Sequence, residues 1–158
     1  MKLKNKIFQI ACDGGAATGK STGGKLIAKK FDLKFLSSGL LYRYASYLLI
    51  KNNPKNTISF LRKRFKKLKY KKLKEINLHT VKISENSAII AKNPNIRKIL
   101  KVYQTNFAKK NKMCCIEGRD ISTKILPRSD VKFFFKCNIN TAAIRRFKEL
   151  RKKNNKIS

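Results

Sequence analysis

The sequence predicts an α/β fold with a mainly parallel sheet, and three observations predict it. Short apolar runs alternate with longer segments of helical spacing along the 158 residues. A glycine-rich segment, Gly14 to Ser21, stands between the first apolar run and the first helical segment, where a strand-to-helix turn belongs. Two late apolar runs, 113–116 and 131–137, are each followed by turn or cap residues, as buried strands are.

Taken in order, 7–12 (Ile-Phe-Gln-Ile-Ala-Cys) reads as a buried parallel strand. Residues 20–31 read as a helix with Leu26, Ile27 and Phe31 among lysines. Residues 34–36 are a short strand leading into Ser37-Ser38-Gly39, and a helix from Leu40 to about Ile50 follows. The stretch 51–75 carries Pro54 and a Lys/Arg-rich run from 62 to 74; a helix there would lack a clean core-facing stripe. Residues 80–110 read as helical with a break at Asn93-Pro94, because proline restricts the residue before it and suits a new helical start. After the strands at 113–116 and 131–137 comes a final helix over 141–153, capped near Asn140.

A chain of this length fits one domain, 1–158, that can bury a core without disulfides or a metal. The net charge of +32 points toward polyanions. Only nine of the 40 basic residues are Arg, however, and Asn, Ile and Phe are abundant too, a residue set that reflects A- and T-rich coding. The lysines are spread along the chain, so no specific nucleic-acid partner is expected, only non-specific polyanion binding. Cys12, Cys114, Cys115 and Cys137 lack metal-site spacing and His79 stands apart from them, so they read as small buried hydrophobes in a reducing compartment. No segment has the length or pattern of a leader or a membrane span. A soluble, cytoplasmic monomer is expected.

The strongest chemical signal is the loop itself. Gly14, Gly15, Ala16, Ala17, Thr18, Gly19, Lys20 and Ser21 match G-x-x-x-x-G-K-[ST] in full, with Thr22 next in the helix. The glycines let the backbone curl so that amide N–H groups face one anion, and the helix N-terminus adds its partial positive charge. Lys20 is expected to reach the β- and γ-phosphates of a bound nucleotide, and Ser21 to hold Mg²⁺ through its hydroxyl. Phosphate binding alone does not name a reaction, because the same loop serves several kinds of enzyme.

The acceptor side narrows the choice. Leu36-Ser37-Ser38-Gly39-Leu40-Leu41-Tyr42-Arg43, Asn93-Pro94-Asn95-Ile96-Arg97 and Ile116-Glu117-Gly118-Arg119-Asp120-Ile121-Ser122-Thr123 follow the loop in that order, and Arg145-Arg146-Phe147-Lys148-Glu149-Leu150 ends the set. Together these segments resemble the bacterial cytidylate kinase family over nearly the whole chain. The resemblance implies a three-layer α/β/α P-loop nucleoside monophosphate kinase fold, with a short basic acceptor-binding insert over 51–92 and the start of a lid over 141–158. It also implies ATP-dependent phosphorylation of CMP or dCMP.

Residue by residue, the resemblance assigns the acceptor's phosphate to Ser38, Arg43 and Arg119, with Tyr42 beside them. A guanidinium suits a bidentate grip on phosphate oxygens. Arg97 and Asp120 fall at the positions that read the base: a carboxylate accepts from the exocyclic amino group of cytosine, and an arginine donates to its ring acceptors. Uracil would leave the carboxylate unpaired, and a site built on such a bond rejects the analogue lacking it. Lys20, Arg119, Arg145 and Arg146 are the cations expected around the transferred phosphoryl group. The chain departs from the family at Ser37, where an Asp is usual, and at Ala88, where a serine near the base is usual, with Ser87 one position away; weaker hold on the base is expected. Ser122 replaces a glycine, and His79 replaces an arginine and reads as structural. Relative to the family, the last edge strand and helix and the rest of the lid are expected to be missing. Two alternatives stay open: a nucleotide-binding remnant without turnover, and a basic binding protein on a P-loop scaffold using 62–74.

Overall fold

The computed structural model describes residues 7–153, without the side chains of 146, 149, 150, 152 and 153. The chain resolves into two compact units, Met1–Ser37 with Ala108–Ser158, and Ser38–Phe107. The expected insert, 51–92, lies wholly inside the second.

The first unit carries the sheet. Its described strands are β1 (Phe8–Gly14), β2 (Lys34–Ser37), β3 (Met113–Gly118) and β4 (Val131–Phe135). They are all parallel, in the order β2-β3-β1-β4. Helix α1 (Lys20–Lys30) packs on β1, β2 and β3. Alternation of side chains along each strand decides what meets it: Ile10, Cys12 and Cys115 turn to one face and form a core cluster with Ala28 and Leu33. Gly24 lets α1 come close, because a Cβ there would lie 3.1 Å from the Phe35 ring and 3.7 Å from Cys12 Sγ. Cys12 Sγ and Cys115 Sγ lie 3.7 Å apart within this core, and burial pushes the thiol of Cys114 up to about 11, so that side chain behaves as a small hydrophobe. A π-helical turn (Ile121–Ile125) follows β3 and buries Ile121 and Ile125.

Four boundaries in this unit differ from the sequence reading by two residues, the first being the end of β1, which runs on to Gly14. β3 extends past residue 116 to Gly118, and β4 stops at Phe135, short of Cys137. The last helix, α6 (Ile139–Lys153), starts earlier than Thr141. Its cap is Asn138 and not Asn140: the Asn138 side chain accepts the Asn140 N–H at 2.9 Å, and its carbonyl accepts from Ala142.

The second unit is helical. It contains α2 (Ser38–Asn52), α3 (Thr57–Lys66), a 3-10 turn (Tyr70–Glu75), α4 (Val81–Ile90) and α5 (Pro94–Lys110), the last running on into the first unit. The segment 51–75 does have a core-facing stripe, contrary to expectation. Leu61 and Phe65 of α3 and Leu73 of the 3-10 turn are buried, and Asn56 caps α3 by accepting from Ser59 N at 2.9 Å. The fully buried stripe is one residue wide per turn, and Arg62, Lys63, Arg64 and Lys66 are exposed around it. Phe65 meets Tyr44 and Tyr103 edge-on, with ring centroids 5.8 Å away in each case. Ser46 ties α2 to α4, donating to Ile83 O and accepting from Asn86 Nδ2, both at 3.0 Å. Asn93 caps α5, as the Asn-Pro pair requires, by accepting from Asn95 N and Ile96 N. Among the described residues no helix is long and apolar enough to cross a membrane.

Candidate active site

β1 delivers the chain into the glycine loop. A Cβ on Gly14 would lie 2.6 Å from Phe135 O, so only glycine fits where β1 meets the end of β4. Gly19 takes a left-handed φ of 86° at the N-cap of α1, and Ala17 is also left-handed at 57°. Thr18 Oγ1 and Lys20 Nζ both donate to Gly15 O, at 3.1 and 2.9 Å, which holds the lysine across the loop.

Beside the loop stands a residue to which sequence reasoning gave no role. Glu117 lies near the end of β3, paired in register with Cys12, and is 2% exposed. Its Oε1 accepts from Ser21 Oγ at 3.0 Å and from Ser37 Oγ. Its Oε2 is buried with no hydrogen-bond partner among the described residues and lies 3.9 Å from Lys20 Nζ. A buried carboxylate with an unused oxygen is costly unless something shares its charge. The donor set is oxygen only, a carboxylate and two hydroxyls, which fits Mg²⁺ and the waters it retains. Ser37 therefore sits with Glu117 and the loop, whereas sequence reasoning linked its departure to the base.

Asp13, the other missed residue, is 3% exposed and adjoins the loop. Its two carboxylate oxygens accept from Ile121 N at 2.6 Å and Ser122 N at 2.8 Å. These are strong bonds, because the acceptor is charged and desolvated. They fix the first residues after Arg119 and Asp120 to the strand that carries the phosphate loop. Ser122 fits in place of glycine because its φ is not among the positive ones. Asp120 is half-buried and Arg119 exposed. A signal for both acids existed: each ends an apolar strand in a chain with only eight Asp and Glu.

Arg145 also comes to the loop. Its Nη1 lies 3.9 Å from where a Cβ on Gly19 would stand, and donates to Cys137 Sγ at 3.7 Å. The side chain of Arg146 lies outside the described residues, as do residues 154–158 of the expected lid start.

The remaining expected acceptor residues belong to the second unit. Ser38 is buried at the start of α2, with Tyr42 and Arg43 half-buried further along it. Arg43 Nη1 lies 3.2 Å from His79 Nδ1, so the guanidinium donates and the ring nitrogen accepts. His79 is thus a partner of an expected phosphate ligand. Arg97 is exposed on α5 and donates to Ala91 O at 3.4 Å. Ser87, the residue nearest the family's serine position, donates to Ser84 O at 2.7 Å, and Ala88 is exposed.

Comparison with known proteins gives the family. The profile of the cytidylate kinase family matches residues 10–158. A cytidylate kinase of Bartonella tribocorum (strain CIP 105476 / IBS 506) is 40% identical over 153 residues, covering 94% of this chain and 69% of the relative. The cytidylate kinase of Phytoplasma mali (strain AT) is 34% identical over 163 residues, covering 92% of this chain and 70% of the relative. That of Listeria monocytogenes serotype 4a (strain HCC23) is 31% identical over 154 residues, 89% and 68% of the two chains. With a phosphate loop on a parallel α/β sheet and a match of this extent, the chain belongs to the cytidylate kinase family and is a kinase.

Proposed function

We propose that this chain transfers the γ-phosphoryl group of ATP to CMP or dCMP, giving ADP and CDP or dCDP, by in-line displacement without a covalent intermediate. The observation that carries the reading, beyond family membership, is the buried Glu117 with Ser21, Ser37 and Lys20 converging on it beside the glycine loop. That cluster has the charge and oxygen donors a metal–triphosphate needs. The backbone of Gly14, Gly15, Ala16, Ala17, Thr18 and Gly19 cradles the phosphates, with Thr22 following at the helix start. Lys20 holds the β- and γ-phosphates. Ser21 would hold Mg²⁺ and Glu117 its waters; the metal supplies charge neutralisation on the phosphates when bound.

On the acceptor side, Ser38, Tyr42, Arg43 and Arg119 hold the CMP phosphate, and Asp120 with Arg97 reads the cytosine edge. Asp13 keeps the turn carrying Arg119 and Asp120 in place from the same strand that feeds the loop. Catalysis is then positioning plus charge: Arg119, Arg145 and Arg146 join Lys20 around the transferred group. The monomeric state and a cytoplasmic location belong to the same proposal.

ADP release from ATP and Mg²⁺, measured with CMP, dCMP, UMP or AMP as acceptor, tests it. Turnover selective for CMP or dCMP and lost in Asp120→Ala supports the assignment. No turnover with any acceptor leaves a protein that binds nucleotide without reaction, and equal turnover with UMP removes Asp120 from base reading.

A further inference from the structure

The second unit holds a cleft lined by none of the residues assigned above to ATP or to the acceptor. Its volume is about 610 Å³, within the roughly 300–1,000 Å³ typical of small-molecule sites. Lys63, Arg64, Lys67, Lys69 and Lys72 stand around it against a single carboxylate, Glu75. Phe60, Leu68 and Leu73 are among its apolar lining.

The local folding explains how the cations come to share one cleft. Burial of Leu61 and Phe65 turns Lys63, Arg64 and Lys67 outward from α3, and burial of Leu73 does the same for Lys69 and Lys72. Composition alone does not account for the density. Nine of the thirteen residues from 62 to 74 are Lys or Arg, against 40 of 158 in the whole chain. Lys63 in the last turn of α3 and Lys67 at its C-cap are four residues apart, so two like charges stand side by side at the helix end. Such crowding is relieved by an anion carrying several charges; one phosphate would leave most of it unbalanced. Arg64 lies over one face of the Phe60 ring, its guanidinium carbon 5.1 Å from the centroid, and the half-buried ring still lines the cleft.

We propose that this cleft is a second ligand site, for a small molecule that carries several linked phosphates on an aromatic body, the nucleoside polyphosphate class. The phosphates meet the five cations, and the aromatic body lies on the apolar lining at Phe60. The size of the cleft favours one such molecule over a longer chain.

Calorimetric titration of the full chain with ATP and with inorganic tripolyphosphate tests the site. The unmodified chain, Lys20→Ala and the fourfold Lys63→Ser/Lys67→Ser/Lys69→Ser/Lys72→Ser variant are compared. The fourfold variant is expected to bind one ATP fewer than the unmodified chain, with tripolyphosphate binding weakened at least about tenfold. Lys20→Ala is expected to retain the cleft's ATP. Phe60→Leu keeps the apolar volume but removes the ring, and is expected to weaken ATP by about fivefold or more while leaving tripolyphosphate unchanged. This arm decides the matter if the fourfold variant folds poorly. Equal ATP stoichiometry and affinity in the unmodified and fourfold chains would overturn the proposal, as would an unchanged ATP affinity in Phe60→Leu. Binding of a twelve-residue oligothymidylate at least about tenfold tighter than ATP, lost in the fourfold variant, would also overturn it, by making the face a polynucleotide track.

Discussion

The two units use charge in opposite ways. In the first, two buried acids, Asp13 and Glu117, each hold named partners at hydrogen-bond distance. In the second, the charges are many, mostly exposed and mostly positive, with the cations concentrated on α3 and the 3-10 turn and only Glu75 and Glu85 opposing them. A buried charge survives only where the surroundings satisfy it, so its position is informative about chemistry. An exposed lysine is tolerated almost anywhere and says little alone. In a chain of net charge +32, two of the eight acids are buried beside the phosphate loop, where the proposed reaction centre lies.

The sharpest test of this contrast is Glu117→Gln. It removes one negative charge from beside Ser21 and Lys20 while keeping the side chain's shape. Turnover with CMP is expected to fall about 10²–10³-fold, the usual effect of deleting one preorganised polar group from such a site. Melting temperature is expected to hold or rise, because a buried charge with an unused oxygen is lost. Steady-state kinetics against Mg²⁺ and a thermal melt measure both. Unchanged turnover would break the link between buried acid and chemistry.

Asp13→Asn comes next. Asn can accept only one of the two N–H groups and turns its own NH₂ toward the other. Stability is expected to fall by about 1–3 kcal/mol, the cost of leaving a buried donor unsatisfied. If the clamp also positions Arg119 and Asp120, KM for CMP rises more than KM for ATP. A fall in stability with both KM values moving together would make the clamp structural only.

How much of this was legible in the sequence depended on distance along the chain. The phosphate loop was legible because eight consecutive residues specify it. The strands were legible as the apolar runs 7–12 and 113–116, but neither their last two residues nor their adjacency was. It is the pairing of Cys12 with Glu117 and Asp13 with Gly118 that brings Glu117 beside the loop and the turn after β3 beside Asp13. Helix α3 was obscured for a different reason: Leu61 and Phe65 are the buried pair in a helix otherwise rich in cations, a stripe too narrow to stand out. The start of α6 was misplaced by two residues because Asn138 and Asn140 are equally good caps by type, and only the hydrogen bond to Asn140 N separates them.

Ser37→Asp probes a smaller effect at the same acid. It restores the residue type usual in the family and places a second carboxylate beside Glu117. Without metal, repulsion between the two is expected to lower stability by about 1 kcal/mol, a shift of roughly 2–4 °C for a chain of this size. With Mg²⁺ the added charge favours the cation, so half-maximal turnover is reached at a lower Mg²⁺ concentration. Thermal melts with and without Mg²⁺ report the sign of the difference. A variant less stable in both conditions, with no change in Mg²⁺ requirement, would show that the serine only packs.

The smallest effect is expected where the charge is densest. Lys66 and Lys71 are exposed members of the same basic run but do not line the cleft. Replacing both by Ser is expected to change stability by no more than about 0.5 kcal/mol, with a rise as reasonable as a fall, since each removes a repulsive neighbour as well as a solvated charge. Tripolyphosphate binding is expected to stay within about twofold, because charges outside direct contact are screened by salt over about 10 Å. The comparison with the four cleft lysines then separates two meanings of the same composition. If Lys66 and Lys71 matter as much as Lys63 and Lys67, the run acts as a diffuse field and the cleft has no special standing. If they do not, position within the fold, and not the count of lysines, gives the basic segment its ligand.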